Sequence, residues 1–371
     1  MRTRTSKGRS SAGPDPARPE RMDIYAVAKL ARVSSATVSR TINHVPTVNP
    51  KLAARVWDAV HELNYFPNTH ARALVSGRSR MLGLIVTEIT NPFFPELIRG
   101  FEEVAIERGY EILIGSTSHD PEGMKRCMRR MVERKADGVA VMTFGIEQPL
   151  LEQLAIQNIP LVLVDEAPNR AGISVLRIDY HEGIRQGVQY LTTLGHRTIA
   201  FVTGPLQLHS SQLRLEAFKK ALQECGIPLE PRLIVEGDHT MEGGIAATGR
   251  LIAADHLPTA ILCSNDMLAI GALHRLSRER LRVPDDISVI GFDDIHMAGV
   301  MIPPLTSVRM SRTELARAAV SALCAHAENR DPQREYRIGT QLLVRESTGF
   351  PSGSLLQMRE HRFRAAIVAG R

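Results

Sequence analysis

From residue 81 to about 345 the sequence repeats one pattern, a short and largely apolar run followed by a longer amphipathic stretch. The apolar runs fall at 82–86, 111–115, 138–142 and 161–164, then start again at 198–202, 233–235, 260–263 and 288–290. Between them helical spacing is read at 94–108, closed by Gly109, and at 123–135, 149–157, 181–194, 213–225, 243–254 and 267–278. Runs that are apolar throughout, rather than alternating, suit strands buried on both faces, as in a parallel sheet between layers of helices. Two such series in succession predict two parallel-sheet lobes.

Ahead of this lies a different pattern, at 24–43 (IYAVAKLARVSSATVSRTIN). Helical spacing puts Val27, Ala28, Leu30 and Ala31 on one side, and a short turn follows at Arg32–Ser34. Ser34 is placed to cap a second short helix, from 35 to about 43, which buries Val38 and Ile42 and exposes Ser35, Ala36, Ser39 and Arg40. A third helix at 51–63 has Asn49 as its cap and Pro50 at its first position, where a missing amide costs nothing; Val56, Val60 and Leu63 face inward with Trp57 beside them. Two short helices joined by a tight turn make a helix-turn-helix, whose second helix is shaped for the DNA major groove. An ordinary helical hairpin has the same spacing, and charge separates the two readings. Residues 1–80 carry 14 Lys/Arg against 5 Asp/Glu, whereas the other 291 carry 32 against 35. A basic head on a mildly acidic body is the footprint of a nucleic-acid binder. Residues 1–22, rich in Arg, Ser, Pro and Gly, are expected to be disordered, with no role beyond weak electrostatic help.

V-S-x-x-T-V-S-R-x-x-N at 33–43 and E-L-N-Y-x-P-N at 62–68 resemble the headpiece of the LacI/GalR family of bacterial transcriptional regulators. The resemblance runs from about Asp23 to Gly349. One departure is Ala26, where the family usually has Asp; Asp23 remains in position to cap the first helix. The resemblance implies an all-α helix-turn-helix headpiece plus an α/β periplasmic-binding-protein-like effector domain with two parallel-sheet lobes. It divides the chain into a tail (1–22), a headpiece (23–66), a hinge (67–80), an effector-binding and dimerisation domain (81–350) and a second tail (351–371). Lobe 1 takes about 81–180 and 311–337, and lobe 2 about 181–310 and 338–350. The chain is expected to cross back after about Met310, so that 311–330 packs on lobe 1 and a strand at 341–345 joins lobe 2. The second tail lacks the sustained heptads of a tetramerising coiled coil.

For DNA the resemblance points to Tyr25, Ser34, Ser35, Ala36, Thr37, Ser39, Arg40 and Asn43 in the headpiece, and to Asn68, Arg72 and Leu74 in the hinge. Leu74 matches the leucine that wedges into the minor groove in the family, and such wedges kink the duplex. Only about two helical turns fit between Pro67 and Gly77, too few for a helix that stands alone in water. The hinge is therefore expected to form on DNA.

Ligands of parallel sheets sit at the carboxyl ends of the strands. Residues following the strands are Phe93, Phe94, Asp165, Ser210, Arg214, His239, Asn265 and Asp293. Arg214, Asn265 and Asp293 match effector-binding positions of the family, and Asp165 matches one in its sugar-responsive members. His239 suits ligand contact and a structural role equally, while Asp266 and Asp294 are read as helix N-caps. A sugar or sugar derivative is the expected effector, with a purine-type co-repressor second. Ser210, His239 and Asp293 make a Ser/His/Asp set on paper. There is, however, no Gly-x-Ser-x-Gly elbow, Gly-rich phosphate loop or metal motif, so binding is expected rather than catalysis, with no metal and no cofactor. The four cysteines, Cys127, Cys225, Cys263 and Cys324, form no ligand spacing and suit a reducing compartment. No run of 18 apolar residues exists, so no membrane span is expected, and the cytoplasm is the expected location. An exported solute-binding protein would share the two lobes but has no use for a helix-turn-helix. The expected protein is a ligand-responsive transcriptional regulator, a repressor, whose homodimer grips a near-palindromic double-stranded operator.

Overall fold

The computed structural model describes residues 23–43, 45–66, 78–118, 120–143, 156–165, 171–254, 257–328, 330 and 333–351. The tail expected at 1–22, all of the tail expected at 351–371 except Pro351, the hinge at 67–77 with Asn68, Arg72 and Leu74, and most of the helix expected at 149–157 lie outside the described residues. The chain divides into two compact units, with the boundary between Arg78 and Ser79.

The first unit holds α1 (Ile24–Ala31), α2 (Ser35–Ile42) and α3 (Pro50–Glu62). Each helix start has its own side-chain acceptor. Asp23 takes the amides of Tyr25 and Ala26, Ser34 takes that of Thr37, and Asn49 takes that of Lys51 with Pro50 following it. Val27, Ala28 and Ala31 of α1 meet Val38 and Ile42 of α2 and Val56, Ala59 and Val60 of α3, and Trp57 packs against this core. Leu30, expected inward, is 40% exposed. At 100° per residue Leu30 lies on the far side of Val27 from Ala28 and Ala31, outside the buried stripe. Ser35 and Ser39, expected exposed, are half-buried, because each adjoins the inward row of Val38 and Ile42.

The second unit is built from two six-stranded sheets. Lobe 1 contains β1 (Met81–Val86), α4 (Phe93–Glu107), β2 (Glu111–Ser116), α5 (Pro121–Glu133), β3 (Gly138–Met142), β4 (Leu161–Val164) and β5 (Ile173–Ile178). Lobe 2 contains α6 (Tyr180–Thr193), β6 (Ile199–Thr203), α7 (His209–Glu224), β7 (Ile234–Glu236), α8 (Met241–Ala253), β8 (Ala260–Cys263), α9 (Asp266–Arg278), β9 (Ser288–Asp293), α10 (His296–Val300) and β10 (Thr306–Met310). The chain then returns to lobe 1 with α11 (Arg312–Ala327), which packs on α4, and with β11 (Glu335–Ile338), which pairs with β5. After Gly339 it rejoins lobe 2 as β12 (Thr340–Leu343) beside β10. The strand orders are β11-β5-β4-β3-β1-β2 and β12-β10-β9-β8-β6-β7, parallel throughout except for β12. Central strands such as β3, β4, β6 and β8 are buried along their whole length, as apolar runs covered on both faces must be.

The apolar pattern does not mark strands β5 and β11. β11 (Glu335–Ile338) is the edge strand and β5 (Ile173–Ile178) lies between it and β4, with Arg177 and Glu335 pairing at 2.8 Å on an exposed face. As an edge strand β11 needs only part of its surface apolar, and its Glu335 and Arg337 make it resemble a loop, while in β5 Ser174 and Arg177 interrupt the apolar run.

Helices α8 and α9 approach closely through glycine. A Cβ on Gly271 would fall 2.1 Å from the Met241 carbonyl oxygen and 2.9 Å from the Gly244 Cα, and one on Gly244 would fall 2.3 Å from the Leu268 carbonyl oxygen. These obstacles are backbone, so the helices must separate to admit a methyl group. Gly271→Ala is expected to lower stability by about 1–3 kcal/mol through overpacking, less roughly 1 kcal/mol regained in helix propensity. A shift of the urea unfolding midpoint to lower concentration checks this, and a midpoint raised above the parent's would mean the helix pair yields without cost.

Candidate functional site

In the first unit, α2 turns Ala36 and Arg40 outward, while α1 leaves Tyr25 70% exposed. Ser34 and Thr37 share a hydroxyl–hydroxyl hydrogen bond of 2.9 Å beside the Ser34 cap, which rigidifies the start of α2. Asn43 Nδ2 lies 3.5 Å from Ser39 Oγ at the other end. Arg55 is committed elsewhere, since its guanidinium donates to the carbonyls of Ala31 and Arg32 at the end of α1. The cations Lys29 on α1, Arg32 after it, Arg40 on α2 and Lys51 on α3 are all exposed.

In the second unit a cavity of about 200 Å³ opens between the lobes at the carboxyl ends of the strands. Lobe 1 contributes Phe93 and Phe94, whose rings meet edge-on at 5.3 Å. Lobe 2 contributes Ser210, Arg214, His239, Asn265 and Asp293. Seven of the eight residues expected at the cleft therefore line one cavity. Helix α7 starts at His209, earlier than the 213 expected, which puts Ser210 and Arg214 in its first turns, both buried.

Arg214 is the most constrained of them. Its guanidinium lies 4.9 Å from the Tyr180 ring centre and 4.4 Å from that of Phe292, with both rings attracting the cation. Its Nε is buried without a hydrogen-bond partner, and an Nη lies 3.7 Å from Asp293 Oδ1, too far for a hydrogen bond. Burial raises the Asp293 pKa to about 6, against the opposing pull of Arg214 and then Arg312. Asp293 has φ of 105° and Asp294 has φ of 55°, a turn that residues with side chains rarely adopt.

Asp165 does not line the cavity. Its carboxylate accepts from the Tyr180 hydroxyl at 2.8 Å and from the Ile178 amide at 3.2 Å, and burial raises its pKa. It acts behind Tyr180, which does line the cavity and which spacing does not single out. Asp266 is not the N-cap expected. Asn265 caps α9 through the Leu268 amide, and its Nδ2 donates to the His239 carbonyl at 3.0 Å. Asp266 is instead fully enclosed, with its pKa pushed well up by burial. It accepts from Ser307 Oγ at 2.6 Å and from the Ile295 amide at 2.8 Å, which braces the Asp293–Asp294 turn from within lobe 2. Asp294 is likewise no cap; its carboxylate pairs with Arg345. His239, at φ of 67°, sits 3.3 Å from Ser264 Oγ, and its ring covers Gly204, where a Cβ would fall 1.9 Å from Nε2. Its position is thus fixed by packing while its ring still reaches the cavity.

A basic helix-turn-helix unit joined to a two-lobed body with a polar-anchored cavity defines a ligand-responsive DNA-binding regulator. Residues 23–68 match the bacterial regulatory proteins of the lacI family, and residues 188–348 match the periplasmic binding protein-like domain. The HTH-type transcriptional repressor PurR of Histophilus somni (strain 2336) is 33% identical over 326 residues, 87% of this chain and 98% of that protein. The structure of the Lac repressor dimer bound to operator and the anti-inducer ONPF superposes with a TM-score of 0.78 at 27% identity, covering 88% of this chain and 99% of that one. A complex of the transcriptional regulator CelR with cellobiose gives 0.67 at 28% identity, covering 88% and 100%. The chain belongs to the lacI family of bacterial regulatory proteins: it is a DNA-binding transcriptional repressor, not an enzyme. Among the described residues no helix is long and apolar enough to cross a membrane.

Proposed function

We propose that this repressor is controlled by a neutral sugar held between its lobes, with Arg214 and Asp293 as the anchor. The observation that carries this reading is the separation of that pair. At 3.7 Å the guanidinium and carboxylate face each other without bonding, so a donor and an acceptor stand side by side, both buried, in the cavity wall. Neighbouring hydroxyls of a sugar satisfy both at once, donating to Asp293 and accepting from Arg214. Phe93 and Phe94 offer apolar faces to the ring, and Ser210, His239 and Asn265 surround the anchor. Asp293 sets one carboxylate against the one guanidinium of Arg214, so the anchor holds no surplus cation for a phosphate or a carboxylate, which disfavours phosphorylated or acidic sugars. A purine base is the second reading, supported by the apolar lobe 1 wall and by the relative named PurR.

On DNA, two protomers are proposed to place two α2 helices on a near-palindromic operator. Ala36 touches a thymine methyl, Arg40 reaches a guanine, and Tyr25, Ser34, Ser35, Thr37, Ser39 and Asn43 complete the interface. Asn68, Arg72 and Leu74 act from the hinge, and lobe alignment decides whether that hinge forms.

A thermal-shift series of the full-length protein against neutral pentoses, hexoses and disaccharides, their phosphates, and purine bases tests the effector class. A ligand present at a hundredfold its Kd adds about 2.7 kcal/mol. A neutral sugar is expected to shift the melting temperature while its phosphate does not. A shift with purines alone would replace this reading by the second, and preference for phosphorylated sugars would refute the charge argument.

A further inference from the structure

The turn that carries Asp293 is held from two directions. From lobe 2, the Ile295 amide donates to Asp266 and the Asp294 amide donates to Ser307 Oγ at 3.1 Å. From lobe 1, one guanidinium and one carboxylate complete the hold. Arg312, at the start of α11, donates to the Asp293 carbonyl at 2.6 Å and to the Asp294 carbonyl at 2.8 Å. Its Nε lies 3.0 Å from Glu96 Oε2 on α4. Glu96 Oε1 then accepts the His296 amide at 2.9 Å, which returns the ring of interactions to lobe 2. Neither Glu96 nor Arg312 lines the cavity, so neither reaches the effector.

We propose that Glu96 and Arg312 form an interlobe latch that both sets the alignment of the lobes and holds the Asp293 turn in its uncommon backbone conformation. Three features support this. Every bond the latch makes to lobe 2 is to backbone, at Asp293, Asp294 and His296, so it reads the path of the turn rather than a side chain. Two consecutive residues of positive φ persist only where their surroundings over-determine them, and the lobe 2 bonds account for the amides but not for the carbonyls. The latch pair is also largely enclosed, with side chains 18% and 21% exposed, where charge-assisted bonds are strong and directional. Opening the lobes breaks the three bonds to the turn together and leaves the effector's acceptor on a backbone held only by the lobe 2 bonds to its amides. Effector occupancy and lobe alignment become one equilibrium, so a ligand that prefers the formed turn also prefers the closed alignment. Glu96 and Arg312 are positioning residues, and their role in effector control rests on the reading of Asp293 as the anchor.

The test needs no effector. Nitroxide labels are placed at Glu122→Cys and Gln207→Cys, exposed positions beside the cavity-lining Pro121 and Leu208, in full-length protein carrying Cys225→Ser. Distances between the labels are compared for the parent, Arg312→Met, Glu96→Ala and Glu96→Gln, together with hydrogen exchange at the His296 amide. Arg312→Met and Glu96→Ala are expected to lengthen and broaden the label distances. His296 exchange should rise roughly tenfold or more, the scale of losing a hydrogen bond to a charged group. Glu96→Gln keeps the oxygen that accepts from His296 and should restore most of that protection. Sheet amides of β8 and β9 should keep the parental rate, which separates release of a latch from general loosening. Unchanged distances, or equal acceleration throughout lobe 2, would overturn the proposal. Since no sugar is present, failure of the sugar reading leaves this result standing, and failure here leaves the thermal-shift result standing.

Discussion

Asp293→Asn is expected to change effector binding and stability in opposite directions. Asn keeps the shape of the carboxyl group but not its charge. Losing a charged hydrogen bond costs roughly 1.5–3 kcal/mol, so effector affinity should fall by about one to two orders of magnitude, at about 1.4 kcal/mol per tenfold. The stability effect follows from linkage. The Asp293 pKa is 3.8 as an unperturbed group and about 6 in the folded protein, raised by burial. The folded state therefore holds this proton more tightly than the unfolded state, and stability falls as pH rises from about 4 to about 6. Above pH 6 the enclosed charge costs up to about 3 kcal/mol, at about 1.36 kcal/mol per pKa unit. Asn imitates the protonated form, so the variant should melt higher than the parent at pH 7.5, with the gap closing toward pH 4.5. Melting curves at both pH values, with isothermal titration of whichever sugar shifts the parent, check the two halves. A gap independent of pH would show that Asp293 titrates as an ordinary carboxylate. Unchanged affinity would remove it from the effector site.

The anchor is legible in the sequence while its support is not. Asp293 and Arg214 follow central strands, and a parallel sheet exposes those ends whatever the sequence detail. The number and order of the strands can be read from runs such as Ala260–Cys263, buried at every residue. Interactions between elements distant in sequence leave no such trace. Tyr180 sits behind Arg214 because α6 enters lobe 2 there, and Asp165 reaches Tyr180 rather than the cavity. Arg312 meets Glu96 from more than two hundred positions away, and each reads locally as an ordinary charge on a helix. Asp266 reads as a cap because it opens a helix, yet Asn265 already fills that role and Asp266 reaches across to β10. Local chemistry predicts caps well where a single acceptor is available, as at Asp23, Ser34 and Asn49. It fails at Asn265-Asp266, where the first of two adjacent acceptors takes the cap and frees the second for a contact distant in sequence. Strands β5 and β11 are hidden for another reason, since Ser174 and Arg177 break the apolar run of β5, and Glu335 and Arg337 break that of β11.

Operator binding is expected to be dominated by salt. Each headpiece unit presents Lys29, Arg32, Arg40 and Lys51 outward, and residues 1–80 carry 14 Lys/Arg against 5 Asp/Glu. If two protomers together neutralise about six to ten phosphates, counterion release should reduce affinity by about 10³–10⁵ between roughly 50 and 200 mM salt. The two kinds of cation should then separate. Lys29→Ala is expected to weaken all sequences alike and to reduce the log–log slope by roughly 0.9 for each phosphate no longer neutralised. Arg40 stands on α2 near Ala36, on the helix assigned to the major groove. Ser35 and Ala36 are too short for the paired hydrogen bonds that Arg makes to guanine, so discrimination in each half-site leans on Arg40. Arg40→Ala should cost about 1–3 kcal/mol on the preferred operator and relax the preference at one base pair per half-site. Fluorescence anisotropy against a selected operator and its single-base variants, repeated across the salt range, measures both effects. A salt-independent affinity would contradict the electrostatic footprint. Equal weakening of every sequence by Arg40→Ala would assign Arg40 to the phosphate backbone and move base reading to other residues of α2.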